Sequence, residues 1–438
     1  MTHRFFRPLA FGALGLSALL ALPAAASAPS PRYPQAFATD LGVTKLIGET
    51  DTDAPIAGVQ IFVAAGLDRE GPKQSGVSSL VAECLERTPV DGVPLRDAVA
   101  ARGGSMSYTV DGRSIHYYFE SDPERLPAVV GMFASALAAP DFSSATLGAA
   151  RAALMQRAGE GEANALAVGI AMFRQSYYQS SVGLPAYGST TSLAQLGPAD
   201  AAAFFRATYK RPALSASAVG KLVPGLGDAL KSLAGVLPDG TVAATQGRAR
   251  VIPAEAPRIV AHRDVSAPWV VVGFAAPAPD SKDFGAMLVL ESLLAGAFDR
   301  RSTTTLGFVE KSVGAFYLYD STPASLVVYV NGSETEPSVA LREVLVVSRS
   351  LSLKPLGTAA LEHFKTAAEG RFLTDSVNLS DRSYLLGTFA AQGLGPDAIN
   401  AALGALEKTT PADVERVAKK YLQRYIVALV LPRQTPSQ

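Results

Sequence analysis

Gly76-Val77-Ser78-Ser79-Leu80-Val81-Ala82-Glu83-Cys84-Leu85 decides how the rest of this chain is read. Val77, Leu80, Val81, Cys84 and Leu85 recur at three- and four-residue spacing, which predicts a helix with one face in a core. Upstream lie Ile61-Phe62-Val63-Ala64-Ala65-Gly66 and Asp68-Arg69-Glu70, and Gly76 opens the helix. Glu83 and Glu86 share a helix face; with no third carboxylate nearby they read as a solvated surface rather than an acid pair. Ser78-Ser79 lacks the G-x-S-x-G turn that exposes a serine nucleophile. Cys84 is the single cysteine of the chain. It cannot close an internal disulfide, and its apolar setting predicts a buried, unreactive thiol.

Composition sets the frame. A chain of 438 residues is long enough for two or three domains, and 48% hydrophobic with 18% charged residues describes a folded protein. Lys plus Arg and Asp plus Glu are 39 each, so no basic footprint for nucleic acid or an anionic membrane is present. Residues 1–28 read as a signal peptide: a basic start at His3, Arg4 and Arg7, an apolar core from Leu9 to Leu22, then small residues around Ala24–Ala28. No later stretch reads as a membrane span. The expected product is exported, periplasmic or secreted.

The body divides in two. Pro94–Arg102 predicts a helix, and Ser105–Val110 with Arg113–Phe119 predicts a hairpin turned by Asp111-Gly112. Asp122-Pro123 starts a helix running to Ala139, and helical pattern fills 144–179. Residues 222–257, punctuated by glycine and proline, read as a linker between a domain over 29–221 and one over 258–438. The second domain repeats the plan: strands at Val270–Ala275 and Ser325–Val330, helices at Phe284–Leu294 and Leu341–Leu351. The halves close alike. Pro198-Ala-Asp200, a helix, Tyr209 and a β run return as Pro411-Ala-Asp413, a helix, Tyr421 and Ile426–Leu431. The fold class is α+β, two homologous halves with antiparallel-rich sheets and helices on one side.

The order of these landmarks, with Gly103-Gly104, Pro140-Asp141-Phe142 and Tyr187-Gly188, resembles one chain of the two-chain bacterial branch of the pitrilysin/insulinase family, from about residue 40 to 432. The resemblance implies α/β-sandwich halves of the processing-peptidase fold. It also implies two chains closing around an unfolded peptide, zinc held by one of them. The family's zinc helix carries H-x-x-E-H. Registered on Gly76, Ser79 and Glu83 stand at the two His positions and Ala82 at the Glu. A neutral hydroxyl is a poor zinc ligand, alanine is no base, and one carboxylate does not hold the ion. The family's third ligand, a downstream Glu, falls near Met155-Gln156-Arg157, where no acid stands. The facing half of such enzymes holds substrate with an Arg/Tyr pair. Here the matching stretch is Val309–Tyr317, with Tyr317 in place, Glu310 at the Arg position, and Lys311 there instead if the register moves by one.

Of the other candidates, His116, His262 and His363 have no His or Cys at metal spacing, and His116 reads as a packed or surface group. Gly225-Leu-Gly227 lacks the third glycine of a nucleotide loop. The resemblance thus implies a non-catalytic homologue with no cofactor of its own. It would pair as a heterodimer with a homologous zinc-bearing peptidase chain, with Tyr317 as the substrate-binding candidate. The alternative reading is a stand-alone protein that binds peptides or assembles others without a peptidase partner.

Overall fold

A seven-residue strand with every residue buried, Ala57–Val63, is the centre of the first half. The computed structural model describes residues 34–242, 248–301, 313–321, 323–332 and 336–433. The expected signal peptide and the Glu310/Lys311 question lie outside the described residues. The first half runs through β1 (Phe37–Asp40), β2 (Lys45–Thr50), β3 (Ala57–Val63), α1 (Val77–Arg87), β4 (Pro89–Val90), β5 (Val93–Pro94) and α2 (Leu95–Ala101). It continues with β6 (Ser105–Val110), β7 (Ile115–Ser121), α3 (Leu126–Ala138), α4 (Ser144–Ala163), α5 (Ala165–Tyr177), α6 (Thr190–Gln195), α7 (Pro198–Thr208) and β8 (Leu214–Gly220). After α8 (Gly225–Gly235) the second half brings β9 (Arg258–Arg263), β10 (Trp269–Ala275), α9 (Phe284–Arg301), β11 (Val313–Leu318) and β12 (Ser325–Asn331). It ends with α10 (Pro337–Leu351), α11 (Thr358–Thr374), α12 (Leu379–Ala391), α13 (Ala398–Glu407), α14 (Pro411–Tyr421) and β13 (Tyr425–Pro432).

The two sheets are copies of one plan. The first has the order β1-β2-β8-β3-β7-β6 and the second β11-β12-β10-β13-β9, so β9-β13-β10-β12-β11 matches β2-β8-β3-β7-β6 strand for strand. In each, one pair is parallel, β2 with β8 and β13 with β9, and the other named pairs are antiparallel. The repeated Pro-Ala-Asp segments cap their helices in the same way. Asp200 accepts the Gly197 N–H at 2.8 Å, and Asp413 accepts the Thr410 N–H at 3.1 Å. The long helical pattern over 144–179 divides at Asn164, whose side chain accepts the Ala167 N–H and restarts the helix as α5.

Residues 222–257, expected as a linker, contain α8. Leu226, Leu230 and Leu233 recur at four- and three-residue spacing and are buried in the first core, so their burial outweighs the flanking glycines. The first sheet packs α1 and α3 on one face, as the shared core of Val81, Leu85, Tyr117 and Phe133 shows. The opposite face is covered by a helix lent from the other half. Gly387 of α12 lies so close to β3 that a Cβ there would stand 2.0 Å from the Phe62 ring. Around it Ser217 donates to the Ser383 carbonyl at 2.5 Å, Gln60 to that of Ser380 at 3.3 Å, and Arg382 meets Glu49 at 2.6 Å. α5 returns the exchange by lying on the second sheet. A Cβ on Gly273 of β10 would meet the Phe173 ring at 2.1 Å, and Tyr178 donates to the Pro323 carbonyl at 2.9 Å. The described residues form one compact unit accordingly.

Candidate functional site

The helix that opened the sequence reading is α1, and its start is fixed by a carboxylate. Glu70 accepts the N–H groups of Gly76 and Ser78 at 3.1 Å each and the Ser78 hydroxyl at 2.5 Å, capping donors that a helix start leaves unpaired. Burial nevertheless raises the Glu70 carboxyl to about 7, those hydrogen bonds pulling it down only in part. Gly76 has φ +92°, and a Cβ there would lie 3.0 Å from the Cα of Gly188. That close approach seats the Ala186-Tyr187-Gly188 loop on the helix start.

The three motif positions are all fully buried. Ser79 donates its hydroxyl to the Ala186 carbonyl at 2.7 Å, and Ala82 packs in the core. Glu83 is the centre of a polar cluster. Its Oε2 accepts the Tyr108 hydroxyl at 2.7 Å and stands 3.1 Å from Arg157 Nη1, while Arg87 Nη2 lies 2.9 Å from its Oε1. Arg157 also donates to the Tyr108 oxygen at 2.9 Å. Its guanidinium faces the rings of Tyr108 and Tyr187 at 5.5 and 5.7 Å. Arg96 pairs with Glu86, itself 1% exposed. Glu83 and Glu86 are therefore not the solvated face expected of them. Both are buried because arginines from α1, α2 and α4 come to them. A buried carboxylate needs such partners.

These residues do not fit a zinc ion. One motif position gives its hydroxyl to a main-chain carbonyl, one has no donor atom, and the one carboxylate is taken by a phenol and two guanidinium groups. Where the family keeps its third acid, Arg157 brings a positive charge that would repel a metal cation. Among the described residues no three His, Cys, Asp or Glu side chains are grouped to hold a metal.

The remaining sequence candidates are placed as follows. Cys84 is fully buried, and burial, followed by the nearby Asp141 and Glu83 carboxylates, pushes its thiol up to about 12. His116 is packed rather than exposed: its ring lies 5.5 Å from that of Phe62 and 4.7 Å from that of Tyr384, and burial lowers it to about 4. Tyr317, on the edge strand β11, is 5% exposed. Its hydroxyl donates to the Pro277 carbonyl and its N–H to Glu291 at 2.9 Å, so both polar groups already have partners inside the chain. The sequence reading missed Tyr108, Arg87 and Arg157 as members of the α1 site. The spacing within α1 carries no signal for them; only the alignment of the third ligand to 155–157 pointed near Arg157.

Residues 45–188 match the model of the family Insulinase (Peptidase family M16), a span that holds β2, α1 and the loop at Tyr187-Gly188. Among solved structures, a protease from Helicobacter pylori is similar with a TM-score of 0.80 at 15% identity, over 91% of this chain and 100% of that one. A peptidase M16 inactive domain from Pseudomonas fluorescens is similar with a TM-score of 0.78 at 15% identity, over 92% and 99%. At that identity the structures show a common fold. No curated protein matches the sequence.

Proposed function

Starting from a homologue of the pitrilysin/insulinase peptidases, we propose that the chain is the exported, non-catalytic partner of a zinc-bearing chain of the same family, the two enclosing an unfolded peptide for cleavage by the other. The observation that carries the non-catalytic part is the Glu83–Arg157–Tyr108 cluster, which fills the metal's place with a guanidinium and leaves no base at Ala82. The similarity to the Pseudomonas fluorescens inactive domain supports the same reading. The partner comes from the resemblance, which implies two chains closing on a peptide; the chemistry would then be supplied by the second chain. Among the described residues no helix is long and apolar enough to cross a membrane.

The test is to purify the native protein from its source without chelators, identify what accompanies it and measure zinc. A companion chain with H-x-x-E-H, one zinc per pair and cleavage of unfolded peptide by the pair supports the proposal. A chain that purifies alone with bound zinc and cleaves peptide sinks it.

A further inference from the structure

Outside β11, between α9 and α11, lies a cavity of about 240 Å³. Its place in the second half matches that of the Glu83 cluster in the first, since each lies among an edge strand, the helix after the central strand and the long helix. In the first half Tyr187 and Ala186 close over that place; in the second the place is hollow.

The lining is charged and out of balance. Glu291, Asp320 and Asp375 face it, with Arg371 as the cation among them. Arg371 is divided: its Nη2 donates to the Ala315 carbonyl at 2.9 Å, and its Nε lies 3.8 Å from Glu291 Oε1, beyond hydrogen-bond reach. Glu291 is nine-tenths buried. Its Oε1 accepts the Tyr317 N–H. Burial raises the Glu291 carboxyl to about 7 and pushes Asp375 and Asp320 upward, Asp111 adding to the push on Asp320. Three carboxylates share the one guanidinium of Arg371, and Asp320 also accepts the Tyr384 hydroxyl at 2.9 Å, which leaves room for one further counter-ion.

Three features narrow what would supply it. The carboxylates do not group as metal ligands among the described residues. The cavity is smaller than the ~300–1,000 Å³ of small-molecule sites, the scale of one side chain rather than a cofactor. The aromatic rings of Phe316, Tyr319, Phe372 and Tyr384 also line it, a setting that favours an organic cation. The strand edge itself is closed to pairing at this point, because Glu291 holds the Tyr317 N–H and Arg371 the Ala315 carbonyl. A peptide meeting this edge would engage it through a side chain or terminus rather than by adding a strand.

We propose that this cavity is a recognition subsite for an organic cation carried by a peptide, a lysine or arginine side chain or a free N-terminal ammonium, with Glu291 and Asp375 as its counter-charges. The inference rests on the reading that the chain receives peptides. It is tested by titrating the full chain with an unstructured peptide carrying one lysine, and with the same peptide carrying glutamine there, each with a free or acetylated N-terminus. Neutralising the peptide should weaken binding to the wild type about tenfold, or 1.4 kcal/mol. Glu291→Gln and Asp375→Asn should erase that difference and leave the affinity for the neutral peptide unchanged. Asp375 is exposed, so its variant serves even if Glu291→Gln folds poorly. Loss on acetylation alone assigns the ammonium, and loss on lysine replacement assigns the side chain. Equal binding of all four peptides overturns the subsite and leaves the peptide reading intact; absence of any binding removes both.

Discussion

Arg157 and Arg371 occupy the same place in their two halves. Each is the fourteenth residue of its long helix, and each approaches a glutamate on the helix that follows the central strand, Glu83 at 3.1 Å and Glu291 at 3.8 Å. Both halves thus set an arginine of the long helix against a buried glutamate.

Metal content follows from that pairing. The purified chain should hold no stoichiometric zinc after dialysis. Restoring Ser79→His, Ala82→Glu and Glu83→His should not change this, because Arg157 still brings positive charge to the third ligand position. Adding Arg157→Glu to the triple variant should raise zinc retention above that of the triple, measured as metal per chain. Equal zinc in the triple and quadruple variants would show that the guanidinium is not what excludes the ion.

The same cluster should contribute to stability. Arg157→Ala leaves Glu83 fully buried with Arg87 and Tyr108 still attached, and Arg157 itself is about a third exposed. The expected loss is therefore about 1–3 kcal/mol, below that of a fully buried pair. Urea unfolding of the variant beside the wild type measures it.

Cys84 should react slowly. A buried thiol raised to about 12 has almost no thiolate at neutral pH. Labelling with an aromatic disulfide should be slow in buffer and rapid in denaturant, and fast native labelling would mean that α1 opens readily from the core.

The pH dependence has a defined sign. Glu70 is raised from the ordinary 4.5 to about 7 in the fold. Its contribution to stability is fully present below about 4.5 and is lost as pH rises through 7. Each unit corresponds to about 1.4 kcal/mol, so the loss is on the order of a few kcal/mol. The wild type should lose more stability than Glu70→Gln between pH 5 and pH 7.5 in denaturant titrations. For Glu291, also near 7, deprotonation supplies charge to the cavity, so affinity for a basic peptide should rise through that pH.

Tyr317→Phe separates two roles. The phenol donates to Pro277 from a buried position, so its loss should cost about 1–2 kcal/mol of stability. With that group engaged inside the chain, peptide turnover by the assembled pair should be unchanged. A fully folded variant with slower turnover would show instead that the phenol contacts substrate.

The fold was legible where local rules and burial agree. The hairpin of β6 and β7 forms where it was expected, but its loop is Asp111–Ser114 rather than the two residues Asp111-Gly112, because the Asp111 carboxylate accepts the N–H groups of Arg113 and Ser114 at 2.7 Å each and Val110 pairs with Ile115. The repeated Pro-Ala-Asp caps marked the duplication. α8 was hidden by its glycines, since the leucine contacts that stabilise it come from a distant part of the chain. The motif positions were read from spacing alone. Their surroundings were not legible, because Arg157, Tyr108 and Glu83 meet only through packing of α4 and β6 against α1. The burial of Glu83 and Glu86 was missed for the same reason: a carboxylate's partners are set by tertiary contacts, not by its own helix.

The exchange of α5 and α12 has a consequence for synthesis. Gln60 waits for Ser380, separated from it by 320 residues, before its face of the first sheet is covered. Until α12 has emerged, Phe62 and its neighbours present an apolar surface with nothing on it, and closing so long a loop makes the last step slow. A chain that stops before residue 379 should be sticky rather than half-functional. The natural unit of inheritance and of expression is therefore the whole pair of halves, even though each looks like a domain that could be cut out.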